Sequence, residues 1–160
     1  MMNSRRIWVG ITLLALLAVL GAAWLLGRAA STGRAASRAL AAAVQSGRPT
    51  VHLRDLPGPA WERVYIFGPF TTRQEVTAAL GFLWNDGAAA RELERSDGLN
   101  LLLFVRGGRV VMTVRHRRDE GDFGPESLRR SFGVNEAEFR VVRRPADGWR
   151  MLEPVVRPAP

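Results

Sequence analysis

An uncharged apolar run near the N-terminus constrains this chain more than any other feature. It extends from Ile7 to Leu26 and holds twenty residues without a charged side chain. As an α-helix it would span roughly 30 Å, the thickness of the hydrocarbon core of a bilayer. Trp8 and Trp24 lie near its two ends, where indole rings favour the membrane interface. The run therefore predicts a transmembrane helix over residues 7–26.

The alternative is a cleaved export signal, because Arg5 and Arg6 precede the run and Gly27-Arg28-Ala29 resembles a cleavage site. The apolar part of a signal peptide is usually about 7–15 residues long, and this run is longer. We therefore favour a single-pass signal anchor with a basic N-tail at residues 1–6. The two ends of the span are Ile7 and Leu26. Its predicted interface anchors are Arg5, Arg6, Trp8, Trp24 and Arg28. Such a tail predicts that the remaining domain lies on the periplasmic or extracellular side of the cell membrane.

The positive charge of the chain is concentrated before the predicted domain. All 23 basic residues are arginine, and the net charge is +8. Residues 1–58 carry seven arginines and one acid, whereas residues 59–154 carry fifteen arginines and fourteen acids. A nearly neutral domain lacks the basic surface that phosphate binding requires, which argues against nucleic acid as a partner. The predicted partners are the lipid bilayer, anionic lipid headgroups beside the basic segment, and an envelope protein.

The segment that follows the span is rich in Ala, Arg, Ser and Gly, and Pro49 and Pro57 interrupt it. Alanine favours a short helix over residues 37–45, but the pattern indicates no apolar face wide enough to pack on a core. We therefore interpret residues 27–58 as a tether. The folded domain is predicted at residues 59–154, and residues 155–160 are predicted to form a disordered tail.

Several segments of the domain are dense in residues that favour β-structure. Trp61–Phe67 reads as a strand, and Phe139–Arg143 reads as another. Asp147-Gly148 predicts a turn that leads into Trp149–Leu152. Residues 88–98 are compatible with either a helix or a short strand, so both remain open.

One helix is strongly indicated between the first strand and the central part of the domain. Thr72 followed by Glu75 predicts a capping box, which satisfies backbone N–H groups at the start of a helix. Val76 and Leu80 lie on one apolar stripe at helical spacing. Gly81 predicts a left-handed residue at the end of this helix.

The pair Gly107-Gly108 joins two strand-like runs and predicts a β-hairpin, because glycine readily takes the positive φ angles of a two-residue turn. A hairpin without irregularity places alternate residues of both strands on one face. The predicted dry face carries Leu99, Leu101, Leu103 and Val105 together with Val110, Met112, Val114 and His116. This face should pack on Val76 and Leu80. The resulting fold class is α+β: an N-terminal transmembrane helix and a small antiparallel sheet of about four or five strands with helix packed on one face.

The domain also resembles a family. The similarity covers residues 61–123 and rests on a Trp-x-x-Val-Tyr-Ile-Phe-x-Pro-Phe-Thr pattern beginning at Trp61, an Asp-Gly-x-Asn-Leu-Leu pattern beginning at Asp97, and Gly121-Asp122-Phe123. These residues resemble a group of uncharacterised bacterial envelope proteins, many of them lipoproteins or singly anchored. The resemblance implies an envelope location and no catalytic residues. A looser likeness links the order of helix and hairpin to small envelope-assembly α+β domains.

Charge is concentrated in the stretch Val114–Glu126, which holds one histidine, three arginines and four acids. Arginines at a strand end protect the edge of a sheet, and Gly121 with Asp122 is typical of a turn. The stretch is therefore interpreted mainly as a strand end and turn. Its speculative partner-binding residues are His116, Arg118, Asp122 and Phe123.

Catalysis and metal binding have little support in the sequence. His116 could act as a general base with Asp119 or Asp122 orienting its ring, but no serine elbow or cysteine nucleophile accompanies it. The chain has no lysine, which excludes a kinase, and two histidines without cysteine exclude a structural zinc site. We expect no catalytic residue, cofactor or metal.

The predicted function is a single-pass, membrane-anchored interaction or assembly module of the bacterial cell envelope. One alternative is a small envelope enzyme that uses His116 and Asp122. The other is an anionic-lipid-binding protein that acts through the arginine-rich juxtamembrane segment.

Overall fold

A computed structural model of the chain describes residues 31–146 and 148–156. Within these residues, no helix combines the length and the apolar character needed to cross a bilayer. The predicted span 7–26 and the N-tail 1–6 lie outside the described residues, as do the predicted interface anchors. The fold below is that of residues 32–156.

Three helices and eight strands make up the described fold. The helices are α1 (described part 31–45), α2 (Arg73–Leu80) and α3 (Gly87–Arg95). The strands are β1 (Thr50–His52), β2 (Arg63–Phe67), β3 (Leu99–Arg106), β4 (Arg109–Arg117), β5 (Asp122–Phe123), β6 (Arg130–Gly133), β7 (Glu138–Arg143) and β8 (Arg150–Pro154). Short 3₁₀ turns occupy Leu53–Asp55, Arg118–Glu120 and Pro125–Ser127.

The strands form two four-stranded sheets. The central sheet has the order β4-β3-β2-β6, and the outer sheet has the order β1-β7-β8-β5. All pairs are antiparallel except β5 with β8, which is parallel. The fold predicted from the sequence was therefore wrong, because it placed about four or five strands in one sheet. Strands from both ends of the domain build a second sheet, and no local sequence pattern predicts this sheet.

The central sheet is covered on both faces. Helices α2 and α3 pack on one face, where Val76, Leu93 and the odd-numbered leucines of β3 form one apolar core. Helix α1 and the outer sheet pack on the other face, where Leu40, Phe139 and the even-numbered apolar residues of β3 form the second. Strand β3 is consequently buried at every position from Leu99 to Val105, as expected of a strand with cores on both faces.

The local signals around α2 are confirmed. Thr72 accepts a hydrogen bond from the Glu75 backbone N–H, and the Glu75 carboxylate accepts one from the Thr72 N–H, which completes the capping box. Gly81 ends the helix in the left-handed conformation with φ 73°. The open segment 88–98 is resolved in favour of helix α3, which Asp86 caps by accepting from the Ala89 N–H.

The hairpin is confirmed, but the predicted pairing of its faces was wrong. The register shifts between Phe104 and Val105, so Val105 pairs with Val110 whereas Phe104 pairs with Met112. One extra residue in β4 reverses the faces of every residue after it, because side chains alternate along a strand. His116 consequently lies opposite Asn100 and not on the face of Leu99.

The interpretation of residues 27–58 as a tether was also wrong for its described part. Helix α1 buries Ala36, Leu40 and Val44, one residue from each successive turn, in the core against the outer sheet. Strand β1 pairs with β7, and Leu53 after it is fully buried. The apolar stripe on α1 is narrow and alanine-rich, which is why the sequence pattern indicates no core helix. Small residues nevertheless let a helix approach a sheet closely, so this stripe is enough for α1 to pack.

Close approach is most pronounced at Gly33 in the first described turn of α1. A methyl group at this position would overlap the Thr113 carbonyl of strand β4 far inside van der Waals contact. Because β4 is the edge strand of the central sheet, α1 covers part of an edge that would otherwise be open to pairing.

The substitution Gly33→Ala tests whether α1 is docked. Overpacking typically costs about 1–3 kcal/mol, so we expect the free energy of unfolding of the full chain, measured in urea, to fall by about that amount. The control is Gly87→Ala at the start of α3, where the added methyl meets only the flexible end of Arg91. If residues 27–58 were a solvated tether, Gly33→Ala would leave the stability unchanged or raise it, since alanine is the better helix former.

Candidate functional site

The charged stretch Val114–Glu126 runs from the end of β4 through a 3₁₀ turn into β5. Strand β4 ends at Arg117, the turn covers Arg118–Glu120, and β5 then carries Asp122 and Phe123 into the outer sheet. Gly121 joins the turn to β5 with φ 149°, a backbone conformation that disfavours residues with a side chain. The stretch therefore links the two sheets, and it is more than a solvated strand end.

A buried carboxylate organises this link. Asp122 is 2% exposed, and its two oxygens accept hydrogen bonds from Arg118 Nε at 2.9 Å and Nη2 at 2.6 Å. Asn100 of strand β3 donates from Nδ2 to the same carboxylate at 2.9 Å. Arg118 also donates from Nη1 to the Asp97 carbonyl oxygen. Such a two-pronged ion pair is both strong and orientationally specific, so it fixes the guanidinium.

His116 lies on the same face as Asn100 but belongs to a separate contact. The ring is fully buried, and its Nδ1 lies 3.3 Å from the Ser37 hydroxyl of α1. Its Nε2 is directed towards Gly121 and makes no hydrogen bond of acceptable geometry within the described part of the chain; the same holds for Asn100 Oδ1. Phe123 meets the imidazole ring edge-on, with 6.5 Å between centroids.

Burial is the main influence on the His116 imidazole. It lowers the pKa of His116 to about 4, because a charged ring is poorly solvated in this core. The Gly121 carbonyl and the carboxylates of Asp119 and Asp122 oppose this shift without cancelling it. His116 is therefore neutral at physiological pH, which suits a packed core residue.

The four predicted partner-binding residues are brought together, but three of them do not reach the surface. His116, Asp122 and Phe123 are each at most 2% exposed, so they cannot contact a partner directly. Only Arg118 extends to the surface, with 29% of its side chain exposed. The prediction identified a real cluster and assigned its buried members a contact role that their burial does not allow.

An open cleft lies at the surface end of this cluster. Its volume is about 430 Å³, and its walls come from the end of α3, the start of β3, the end of β4 and the loop before β8. Trp149 forms one wall, with the Arg118 guanidinium 5.7 Å and the Arg144 guanidinium 5.5 Å from its ring centroid. The lining residues are Glu92, Ser96, Asp97, Gly98, Leu99, Arg117, Arg118, Asp119 and Trp149.

Sequence reasoning missed three members of this site. The sequence analysis does not single out Asn100, which lies outside the predicted dry face, and it places Ser37 in a tether. Trp149 is predicted only as the start of the segment that follows the Asp147-Gly148 turn. The Asp97-Gly98-Leu99-Asn100 and Gly121-Asp122-Phe123 segments, singled out in the sequence analysis, were the available signals, since both contribute residues to the cluster.

The predicted acid–base pair of His116 and Asp122 is not formed by a hydrogen bond in this arrangement. The Asp122 carboxylate is bonded to Arg118 and Asn100 and not to the imidazole of His116. Among the described residues, no group of three or more acidic or histidine side chains is placed to hold a metal ion.

Comparison of the chain with protein-family models, with curated proteins and with solved structures finds no match. The resemblance to bacterial envelope proteins therefore stays a prediction that rests on the sequence patterns.

The buried imidazole predicts a pH dependence of stability. The pKa of His116 is lowered from 6.5 to about 4 in the folded chain, so the unfolded chain binds more protons in this window. His116 therefore stabilises the fold fully above about pH 6.5, and on the order of 3 kcal/mol is lost as the pH falls to about 4. Carboxylates with lowered pKa values, including Asp119, add a loss of the same sign.

The variant His116→Leu isolates this contribution, because leucine fills similar space without titrating. We expect its free energy of unfolding, measured in urea from pH 7 to pH 4, to fall much less steeply than that of the wild type. His52→Leu, at the only other histidine, is measured in parallel because His52 is partly exposed. Equal slopes for His116→Leu and the wild type would contradict the assignment.

Proposed function

We propose that the chain is an interaction or assembly module of the bacterial cell envelope, and that it binds a protein partner through the Trp149 cleft. The observation that carries the proposal is the pairing of Trp149 with Arg118 at the wall of an open surface cleft. Tryptophan and arginine are the residues most enriched among those that dominate binding energy at protein interfaces.

The cleft is held in place from within the domain. Arg118 is fixed by the buried Asp122 carboxylate, which also accepts from Asn100 on the central strand. A side chain that is already immobilised loses little conformational entropy when a partner binds, which supports affinity. The buried members of the cluster therefore contribute by positioning Arg118, and Trp149 and Arg118 supply the contact.

The charge on the cleft is balanced. Arg117 pairs with Asp119 beside it, and Arg118 pairs with Asp122. A cleft with paired charges around an indole ring is suited to a mixed polar and apolar protein segment and poorly suited to a polyanion. Envelope location and a membrane anchor at residues 7–26 stay predictions from the sequence and the family resemblance.

One observation favours a second role in binding anionic lipid. Arg34 and Arg38 lie one turn apart on the exposed face of α1, and neither makes an ion pair with a described residue. Two arginines on one exposed helix face attract anionic headgroups by roughly 1 kcal/mol each. We expect the Arg34→Gln, Arg38→Gln double variant of the full chain to lose its preference for phosphatidylglycerol over phosphatidylcholine vesicles at low salt. If both proteins show the same headgroup preference, this second role is wrong.

Trp149→Ala tests the main proposal. After chemical crosslinking in intact cells, we expect the full-length wild type to co-purify with a specific envelope protein and Trp149→Ala to lose it, because truncation of a dominant interface tryptophan typically costs about 2 kcal/mol or more. The control is Leu83→Ala, which shortens an exposed apolar residue outside the cleft. A partner that is retained by Trp149→Ala, or the absence of any specific partner of the wild type, would overturn the proposal.

A further inference from the structure

We propose that this domain carries a second protein-docking surface at the entrance of α2, formed by Phe70, Arg73 and Arg129. We call it the α2 entry surface. The geometry points to a partner protein segment that places apolar side chains against the Phe70 ring and carboxylates beside them. None of the three residues lines the Trp149 cleft, so the inference stands apart from the proposed function.

Phe70 combines two unfavourable features. Phe70 is 60% exposed to solvent, and its backbone lies in the left-handed region with φ 60°. A bulky residue with positive φ is rare, because its Cβ crowds the neighbouring carbonyl, and glycine takes this conformation without penalty. Strained residues of this kind occur preferentially at functional sites, so the combination of strain and exposure indicates a role outside folding.

Arg129 shows the same combination on a neighbouring loop. Its φ is 59°, and Phe70 and Arg129 are the only non-glycine residues with positive φ in residues 31–146 and 148–156. The Arg129 side chain is 64% exposed. The two loops touch, because a methyl group at Gly68 would lie 2.7 Å from the Leu128 side chain. Both strained residues therefore belong to one surface.

Backbone hydrogen bonds hold both loops in this strained conformation. The Phe70 N–H donates to the Leu93 carbonyl of α3 at 2.9 Å, and the Arg129 N–H donates to the Ile66 carbonyl of β2 at 2.7 Å. Beside Phe70, the buried Thr71 hydroxyl donates to the Gly68 carbonyl at 2.8 Å. The exposed side chains are thus presented from a rigid base, which lowers the entropy lost on docking.

The charges around Phe70 indicate what the partner offers. Two carboxylates at this surface are turned to the start of α2, where Glu75 accepts from the Thr72 N–H and Glu94 accepts from the Arg73 N–H. The Arg73 guanidinium makes no ion pair with a described residue, and a cation at a helix N-terminus is unfavourable in the field of the helix. Carboxylates of a partner would remove that penalty and also complement Arg129, which is only partly neutralised by Glu75 at 3.2 Å.

Selection of random peptides displayed on phage against the full chain tests this surface. The selected peptides are measured for binding to the wild type and to Phe70→Gly, which removes the ring and suits the backbone angle. Phe70→Tyr is the matched control, since it keeps an aromatic ring. We expect a class of peptides that joins apolar residues to Asp or Glu, binds Phe70→Gly roughly 30-fold more weakly, and binds Phe70→Tyr about equally well. For this class, the loss of affinity caused by Arg73→Glu should be larger at low salt than at high salt.

The variants separate folding from docking. Phe70→Gly should melt at the same temperature as the wild type or higher, because the left-handed angle favours glycine. The inference is overturned if no selected peptide loses affinity with Phe70→Gly, or if the peptides that do lose affinity lack acidic residues. Peptides that respond to Trp149→Ala and not to Phe70→Gly would leave the proposed function intact and remove this second surface.

Discussion

Burial of strand β3 on both faces is the constraint on which the rest of this structure depends. The run from Leu99 to Val105 is apolar at every position except Asn100, and it cannot face water on either side without a large loss of hydrophobic stabilisation. Helices α2 and α3 cover one face, and they are the neighbours in sequence. The other face needs a second layer, and α1 with the outer sheet provides it from both ends of the described chain. This is why residues that look like a spacer are recruited into the core.

A single extra residue in β4 determines what the second core contains. Because the register shifts between Phe104 and Val105, His116 joins Asn100 in the interior while Arg115 and Arg117 remain outside. Polar groups in a core cost stability unless they are hydrogen-bonded. Asp122 accepts a hydrogen bond from the Asn100 amide, and Ser37 lies within hydrogen-bond distance of His116 Nδ1. The bulge thereby connects the packing of α1, the link between the sheets and the cleft at Trp149.

The sequence predicts the elements that local chemistry decides. The Thr72 capping box, the Gly107-Gly108 hairpin and the strand at Phe139–Arg143 all follow from neighbouring residues. The sequence does not predict features decided by distant contacts, such as the parallel pairing of β5 with β8 or the docking of α1 through Gly33 and alanine. The functional residues divide in the same way. The Val114–Glu126 cluster was recognised from its unusual composition, whereas Asn100 and Ser37 depend on strand register and on a helix that packs through small residues.

The places where local preference and fold disagree are the places where function is expected, because natural sequences are otherwise consistent across levels. Two such disagreements are present: a polar cluster in an apolar core, and two exposed left-handed residues at the entrance of α2. The first is explained by the positioning of Arg118 beside Trp149. The second is not explained within the fold, because the Phe70 ring stays exposed and Arg129 gains only an ion pair between two exposed side chains. The buried polar cluster and the two left-handed residues both reduce stability. A domain that keeps both is better explained by two contact surfaces than by optimisation for stability alone.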